Sequence, residues 1–169
     1  MGTACASSGF HTRVSSHAWQ DNGVDLPPLI LLCRCSNQRF ALPAARVARV
    51  LSAAQFVSVA GLSGCAVGIL NVANVNLALC DARIALGLPQ VALLPTDHFI
   101  ELEPIVLGAR RWLLWVEEVI GIISVTDDQF DVLSVTEGAM VGHALRLPLL
   151  EAVPLLDLAA VEPNALVAA

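Results

Sequence analysis

The sequence predicts an all-β domain, a sandwich or barrel of about eight to ten short strands. Short apolar runs are separated by turn residues about every 8–12 positions, which is the spacing of such folds. No amphipathic segment of helical length recurs between the runs, which disfavours a parallel sheet with crossover helices. A chain of 169 residues is most simply one domain.

The first predicted elements are a strand pair followed by an ambiguous segment. Residues 29–35 are apolar, residues 36–38 are polar, and residues 40–43 are apolar again, which predicts strand, tight turn and strand. Residues 44–51 are compatible with either a helical turn or a strand, because they follow a proline and contain two β-branched valines. Residues 52–64 are predicted to form a loop.

The clearest hairpin lies in the middle of the chain. Residues 65–72 are apolar and β-branched, Ala73 and Asn74 supply the turn, and residues 75–80 return. Asn tolerates the left-handed conformation that tight hairpin turns require. Residues 82–86 predict one or two helical turns before a glycine and a proline.

The second half repeats this pattern. Residues 98–107 alternate, which predicts a half-buried strand. Residues 111–125 predict one long strand that is bent or bulged near Gly121. The remaining predicted elements are a turn at 108–110, a polar turn at 127–128, and strands at 138–145 and 152–158.

A weak internal echo relates the two halves. Residues 75–82 and 152–159 are each an apolar strand that ends in Asp and precedes a helix-prone segment. Asp81 and Asp157 are therefore predicted to cap these helices by accepting backbone N–H bonds. The echo indicates two similar subdomains.

Composition excludes two classes of partner. The chain is 56% hydrophobic with a mean hydropathy of +0.71, but no apolar run approaches the ~20 residues of a membrane-spanning helix. Its net charge is −6 and its nine basic residues are scattered arginines. Nucleic-acid binding requires a clustered basic face, so it is not expected.

The domain is predicted to occupy residues 27–162, between tails at 1–26 and 163–169. The first 26 residues contain one basic residue and no apolar signal core, so they are predicted to be a disordered tail and not an export signal. A cytoplasmic location follows, in which the five cysteines are expected to be thiols.

No catalytic, cofactor or metal site is predicted. Cys33 and Cys35 lie on one face of a strand, but a zinc site needs two further ligands at suitable spacing. Buried thiols are the better interpretation. Residues 61–65 depart from the G-x-S-x-G elbow of hydrolases, because a cysteine occupies the last position. A small β-barrel enzyme remains an alternative, with Cys33, Cys65 or Ser63 as its nucleophile.

Four further residues are interpreted as structural. Glu117 and Glu118 are adjacent and point to opposite faces of a regular strand, so a solvated rim explains them better than a shared site. Trp112 and Trp115 are assigned to the core in preference to a binding interface.

Residues 68–83, which read GILNVANVNLALCDAR, resemble the central signature of CheW-like chemotaxis adaptor domains. Three further segments resemble other family motifs in the right order: residues 40–50, residues 107–122 and residues 154–158. Together they cover residues 28–161. The resemblance implies two intertwined five-stranded SH3-like barrels with short helical segments and a hydrophobic seam between them.

The resemblance also implies a function and a set of partner-binding positions. Members couple the cytoplasmic tip of chemoreceptors to the regulatory domain of the histidine kinase CheA, with no catalytic residue and no cofactor. The positions that match family binding or signature positions are Val47, Gly68, Asn71, Asp81 and Arg83. Ala73 and Asn74 occupy two further binding positions but depart from the family residues. Asp81 has the helix cap as its alternative role.

The departures predict a divergent member. Where the family has Arg-Gly, this chain has Ala73-Asn74, and a methyl group cannot replace a planar guanidinium with five donors. A degenerate adaptor that binds one partner, or that competes with a true coupler, is therefore a second hypothesis.

Overall fold

Strands dominate the described part of the chain, which comprises residues 29–60, 62, 64–105, 107–132, 141–148 and 152–163 of a computed structural model. They are β1 (Leu29–Cys35), β2 (Gln38–Pro43), β3 (Val47–Ser52), β4 (Val57–Ser58), β5 (Ala66–Val72), β6 (Val75–Asp81), β7 (His98–Leu102), β8 (Trp112–Val116), β9 (Glu118–Ser124), β10 (Phe130–Val132), β11 (Val141–Leu145) and β12 (Val153–Leu156). One-turn helices α1 (Ala82–Ala85) and α2 (Leu158–Val161) follow β6 and β12. The all-β prediction is confirmed, while the two predicted tails lie outside the described residues except for Pro163.

The strands form two sheets that share the chain. The first sheet has the order β10-β11-β12-β2-β1-β9, and the second has the order β3-β7-β8-β6-β5-β4. The chain starts in the first sheet, crosses to the second for β3 to β8, and returns with β9. Two intertwined β-subdomains are thereby confirmed.

Each subdomain has six strands where five were predicted, and its hydrogen-bonded order is open in the described part of the chain. One reason is that residues 111–125 do not form a single strand. The chain breaks at Glu117, so that β8 and β9 belong to different sheets. The bulge is confirmed, because the β1–β9 register shifts between Leu32, opposite Gly121, and Cys33, opposite Val119. A second reason is β4, which lies in the segment predicted as loop.

Two other segments resolve or correct the sequence interpretation. Both structures considered for residues 44–51, a helical turn and a strand, are present, because a 3-10 turn at Ala44–Arg46 precedes β3. The half-buried strand predicted at residues 98–107 is wrong on two counts. β7 ends at Leu102, and Glu101 is only 3% exposed. Two arginine side chains cover Glu101, Arg49 from β3 and Arg111 from the segment before β8.

The apolar residues form three clusters. The largest lies between the sheets, as 13 of its 18 buried members in the described chain come from β1, β2 and β12 of one sheet and from β6, β7 and β8 of the other. The other five are Cys65 and residues of α1 and α2. β1 shows why the sequence is so apolar. Leu31 and Cys33 face this seam, whereas Ile30 and Leu32 face the interior cluster of the first subdomain. A strand covered on both faces needs apolar residues at every position.

The predicted turns and caps are confirmed. The β5–β6 hairpin turns at Ala73 (φ 49°) and Asn74 (φ 66°), both left-handed. Asp81 Oδ1 accepts from the Arg83 backbone N–H at 2.9 Å, and Asp157 Oδ1 accepts from that of Ala159 at 3.0 Å. The internal echo therefore corresponds to a repeated strand–cap–helix unit.

The hairpin turn generates a stability prediction. Ala73→Asn with Asn74→Gly should raise the free energy of unfolding in urea by roughly 1 kcal/mol, because both new residues adopt left-handed φ more readily than alanine does. Ala48→Asn is the matched control, since Ala48 is an exposed alanine in β3. An unchanged or lowered stability of the double variant would contradict the turn geometry.

Candidate functional site

Three of the predicted partner-binding residues lie together at the exposed tip of the β5–β6 hairpin. Asn71 Nδ2 donates to Asn76 Oδ1 at 2.8 Å, and the Asn74 backbone N–H donates to Asn71 Oδ1 at 3.2 Å. Ala73 lies between them and is exposed. The amides thus fix the turn from outside and present a small uncharged surface.

Val47 and Gly68 lie toward opposite edges of the second sheet. Val47 is half-buried on the edge strand β3, opposite Leu102, and packs against the seam. Gly68 pairs with Ser58 on the other edge strand. A Cβ at Gly68 would clash with the backbone carbonyl oxygen of Val57 in β4 and would lie 2.5 Å from Phe56 Cδ2. Only glycine therefore allows β4 to approach this closely.

Asp81 and Arg83 lie inside the molecule, each with a fully buried side chain. Arg83 Nη1 lies 3.2 Å from Asp81 Oδ1, and Arg83 Nη2 lies 2.8 Å from Glu117 Oε1. The guanidinium carbon is also 4.8 Å from the centre of the Trp115 ring. A charge removed from water is tolerated only when it is paired and hydrogen-bonded in this way.

Glu117 extends this network to the first sheet. Its Oε2 accepts from the Ser36 backbone N–H at 2.8 Å, in the β1–β2 turn, while its Oε1 accepts from Arg83. Its own N–H donates to the Arg34 carbonyl at 3.2 Å. The solvated-rim interpretation is therefore wrong for Glu117, which joins the two sheets where the chain crosses between them. The solvated-rim interpretation holds better for Glu118, because Glu118 and its partner Arg34 are both partly exposed.

The two carboxyl groups beside Arg83 have pKa values shifted in opposite directions. Burial raises the pKa of Glu117, but hydrogen bonds from Arg83 and Ser36 outweigh it and hold that pKa below its ordinary value of 4.5. Burial dominates at Asp81 and raises its pKa despite the bonds from Arg83. Asp81 Oδ2 is buried and has no hydrogen-bond partner among the described residues. Glu117 is thus the better counter-charge of Arg83.

The tryptophans were correctly assigned to the core. Trp112 and Trp115 are 2% and 4% exposed. Trp115 also links the network to the rest of the second sheet, because its Nε1 donates to Asp97 Oδ2 at 2.9 Å. Its ring lies 6.0 Å from that of Phe56, the residue that packs over Gly68.

The cysteines behave as small apolar residues. Cys33 and Cys35 have no exposed surface, and burial raises the pKa of Cys33 to about 12 and that of Cys35 to about 11. Burial also raises the pKa of Cys65 to about 11. Such thiols are poor nucleophiles at neutral pH, whereas Ser63 lies outside the described residues. Within the described ranges, no cluster of three His, Cys, Asp or Glu residues suits a metal ion.

Comparisons with known proteins agree with this architecture. The model of the CheW-like domain family matches residues 29–162. The crystal structure of the scaffolding protein TtCheW from Thermoanaerobacter tengcongensis superposes with a TM-score of 0.66 over 78% of this chain and 89% of that one, at 16% identity. At this identity the likeness shows the fold alone. No curated protein matches the chain, and no helix in its described part is long and apolar enough to span a membrane.

The buried arginine generates a stability prediction. Arg83→Met should lower the free energy of unfolding by about 3–5 kcal/mol, because Asp81 and Glu117 then lose their shared counter-charge. Arg34→Met is the matched control and should cost less than about 1 kcal/mol, since its pair with Glu118 is partly exposed. If urea unfolding shows that both variants lose the same free energy of unfolding, the assignment of Arg83 as the buried counter-charge of Asp81 and Glu117 is contradicted.

The pKa of Glu117 generates a pH prediction. Because that pKa is lowered on folding, ionised Glu117 stabilises the fold above pH 4.5, and the contribution is lost as the pH falls through the folded pKa. The stability advantage of the wild type over Glu117→Gln should therefore shrink as the pH is lowered from neutral to below 4.5 and through the folded pKa of Glu117. An advantage that stays constant across this range would show that the charge of Glu117 does not contribute.

Proposed function

The chain belongs to the CheW-like domain family, and we propose on this premise that it is a non-catalytic adaptor of a bacterial chemosensory array. It couples the cytoplasmic tip of a chemoreceptor to the regulatory domain of a CheA-type histidine kinase. The observation that carries the proposal is the family match over residues 29–162, nearly all of the described chain. The two-sheet fold shared with a scaffolding protein supports it.

The distribution of chemical groups also favours binding over catalysis. The four cysteines of the described chain are buried. Its buried charged residues have partners within the fold: Arg83 pairs with Asp81, Glu101 pairs with two arginines, and Asp97 accepts hydrogen bonds from Trp115 and from the Leu94 backbone N–H. Apolar side chains remain exposed on strands, including Val57 (69%), Val75 (47%) and Ile122 (61%). Interfaces of adaptor complexes bury about 1,200–2,000 Å², with an apolar centre and a polar rim.

The partner surface that we propose includes the hairpin tip of Asn71, Ala73 and Asn74 together with Val47 on the edge strand β3. Gly68 is buried and supports this surface by allowing β4 to pack closely against β5. Asp81 and Arg83 support this surface from within, because their side chains are buried. The adaptor domain is taken as residues 27–162, between tails at 1–26 and 163–169. Its location is cytoplasmic, at membrane-associated receptor arrays and without insertion into the membrane.

The hairpin tip favours the second candidate, a degenerate adaptor that binds one partner only or competes with a true coupler. Ala73 and Asn74 replace the family's Arg-Gly and offer no guanidinium at the exposed turn. A single methyl group there cannot form the bidentate contacts of an arginine.

Binding measurements on the full chain separate these candidates. Calorimetry against a chemoreceptor-tip fragment and a CheA regulatory domain should show binding to both if the chain is a complete coupler. Ala73→Arg with Asn74→Gly should then change neither affinity by more than a few-fold. Binding of only one partner, with recovery of the other in the double variant, would identify the degenerate adaptor.

Asn37→Arg is the matched control, because it places the same guanidinium on the exposed β1–β2 turn of the other sheet. Recovery by this control would mean that added positive charge, and not its position, restores binding. A folded wild type that binds neither partner would contradict the adaptor function.

A further inference from the structure

The turn between β1 and β2 begins with a strained residue. β1 ends at Cys35 and β2 begins at Gln38, so Ser36 and Asn37 form a two-residue hairpin turn. Ser36 has φ 54°, and of the two turn residues it alone has a positive φ. This is the φ pattern of a type II′ turn, whose first central residue is normally glycine. Serine is disfavoured in this conformation, so it needs support from other groups.

Both backbone polar groups of Ser36 are held by side chains. Its N–H donates to Glu117 Oε2 at 2.8 Å, and its carbonyl oxygen accepts from Arg34 Nη1 at 2.9 Å. Arg34 is positioned in turn by Glu118, whose Oε2 accepts from Arg34 Nε at 2.7 Å. Glu117 lies between β8 and β9, where the chain crosses between the sheets. The shape of this turn therefore depends on a residue 81 positions further along the chain.

The β5–β6 turn differs because its support comes from within its own hairpin. Ala73 and Asn74 are also left-handed, but the Asn74 N–H donates to Asn71 Oδ1, only three positions away. This support does not involve any other part of the fold. The support of Ser36 does, so only the β1–β2 turn can respond to a change elsewhere in the molecule through its supporting contact.

Glu117 divides its two carboxylate oxygens between the two sheets. Oε1 accepts from Arg83 Nη2 at 2.8 Å, and Oε2 accepts from Ser36. Because both oxygens belong to one planar group, a small displacement of Arg83 turns the carboxylate and changes the direction of Oε2. Hydrogen bonds weaken steeply away from their preferred angles. A displacement that preserves the bond to Arg83 can therefore release Ser36.

Arg83 is connected through aromatic rings to the partner surface proposed above. Its guanidinium carbon is 4.8 Å from the centre of the Trp115 ring, and that ring centre is 6.0 Å from that of Phe56. Phe56 packs over Gly68, where β4 approaches β5. Such a series of contacts transmits a signal only if it acts on an element with two states. The strained turn at Ser36 is such an element.

We propose that the Ser36–Asn37 turn is a two-state element set by Glu117, through which a partner bound to the second sheet changes the conformation of the first. In one state Glu117 holds Ser36 left-handed. In the other state Arg83 turns the carboxylate away and Ser36 relaxes to negative φ. The sheets stay together in both states, because the apolar seam and the Arg83–Glu117 contact persist. The partner in this inference rests on the proposed function, whereas the dependence of the turn on Glu117 does not.

Glu117→Gln separates the two contacts of Glu117, because an amide has only one acceptor oxygen. Charged Arg83 takes that oxygen, and the amide NH₂ then faces the Ser36 N–H, which is also a donor. In the full chain labelled with ¹⁵N, the Ser36 amide of this variant should exchange with solvent at least about tenfold faster than in the wild type. Amides in the centre of β1 should not be accelerated to the same extent.

Glu118→Gln is the matched control. Glu118 holds Arg34 through Oε2, and the oxygen of a glutamine can take its place, so exchange at Ser36 should change by less than about twofold. Ser36→Gly added to Glu117→Gln should return the Asn37 amide shift to its wild-type value, because glycine is left-handed without support. Loss of packing at Glu117 would not be rescued in this way, since glycine adds no contact.

A chemoreceptor-tip fragment or a CheA regulatory domain tests the link between the sheets. Binding should shift the Asn37 amide in the wild type but not in Glu117→Gln. Ser36→Gly alone provides a second variant that keeps every contact of Glu117, and it should also abolish the shift, since glycine stays left-handed when the carboxylate turns.

Five results would overturn the inference. They are unchanged exchange at Ser36 in Glu117→Gln, equal acceleration in Glu118→Gln, no rescue by glycine, binding without a shift at Asn37, or a shift that persists in Glu117→Gln because the partner touches the turn itself. If neither fragment binds the folded wild type, the proposed function fails. The exchange and rescue measurements then decide on their own whether Glu117 sets the turn.

Discussion

The buried guanidinium of Arg83 constrains the whole fold. An arginine cannot lose its charge at accessible pH, so a side chain with no exposed surface requires anionic partners within the protein. Glu117 supplies one at the point where the chain crosses between the sheets, and it also accepts a bond from Ser36 in the β1–β2 turn. The ionic contact therefore fixes one sheet against the other, at a place where apolar packing alone allows sliding.

The apolar seam and the Arg83–Glu117 contact stabilise the fold in different ways. The seam removes the largest cluster of apolar side chains from water, and this non-directional burial provides most of the stability. The Arg83–Glu117 contact fixes the orientation of the two sheets, because a hydrogen bond of 2.8 Å has a narrow range of geometry. Under the proposed adaptor function, such a fixed arrangement keeps the binding surfaces of the domain at a constant separation.

Local features were predictable from sequence and long-range contacts were not. The Ala73–Asn74 turn and the Asp81 cap depend on residues within a few positions of each other, and both were found. Glu117 was assigned to a solvated rim because strand periodicity describes only neighbours, whereas its partner Arg83 lies 34 residues away. Glu101 was misjudged for the same reason. Alternation predicts one exposed face, but two arginines from other segments cover it. No signal in a single sequence reports such pairings.

The central claim is that the two intertwined sheets form one cooperative unit held by the Arg83–Glu117 contact. Native-state hydrogen exchange tests it most directly, because it measures the opening free energy of each strand separately. The account predicts that slow amides of β6 in the second sheet and β1 in the first exchange with the same free energy, equal to that of global unfolding. Exchange of one sheet at a clearly lower free energy, with the other still protected, would contradict it.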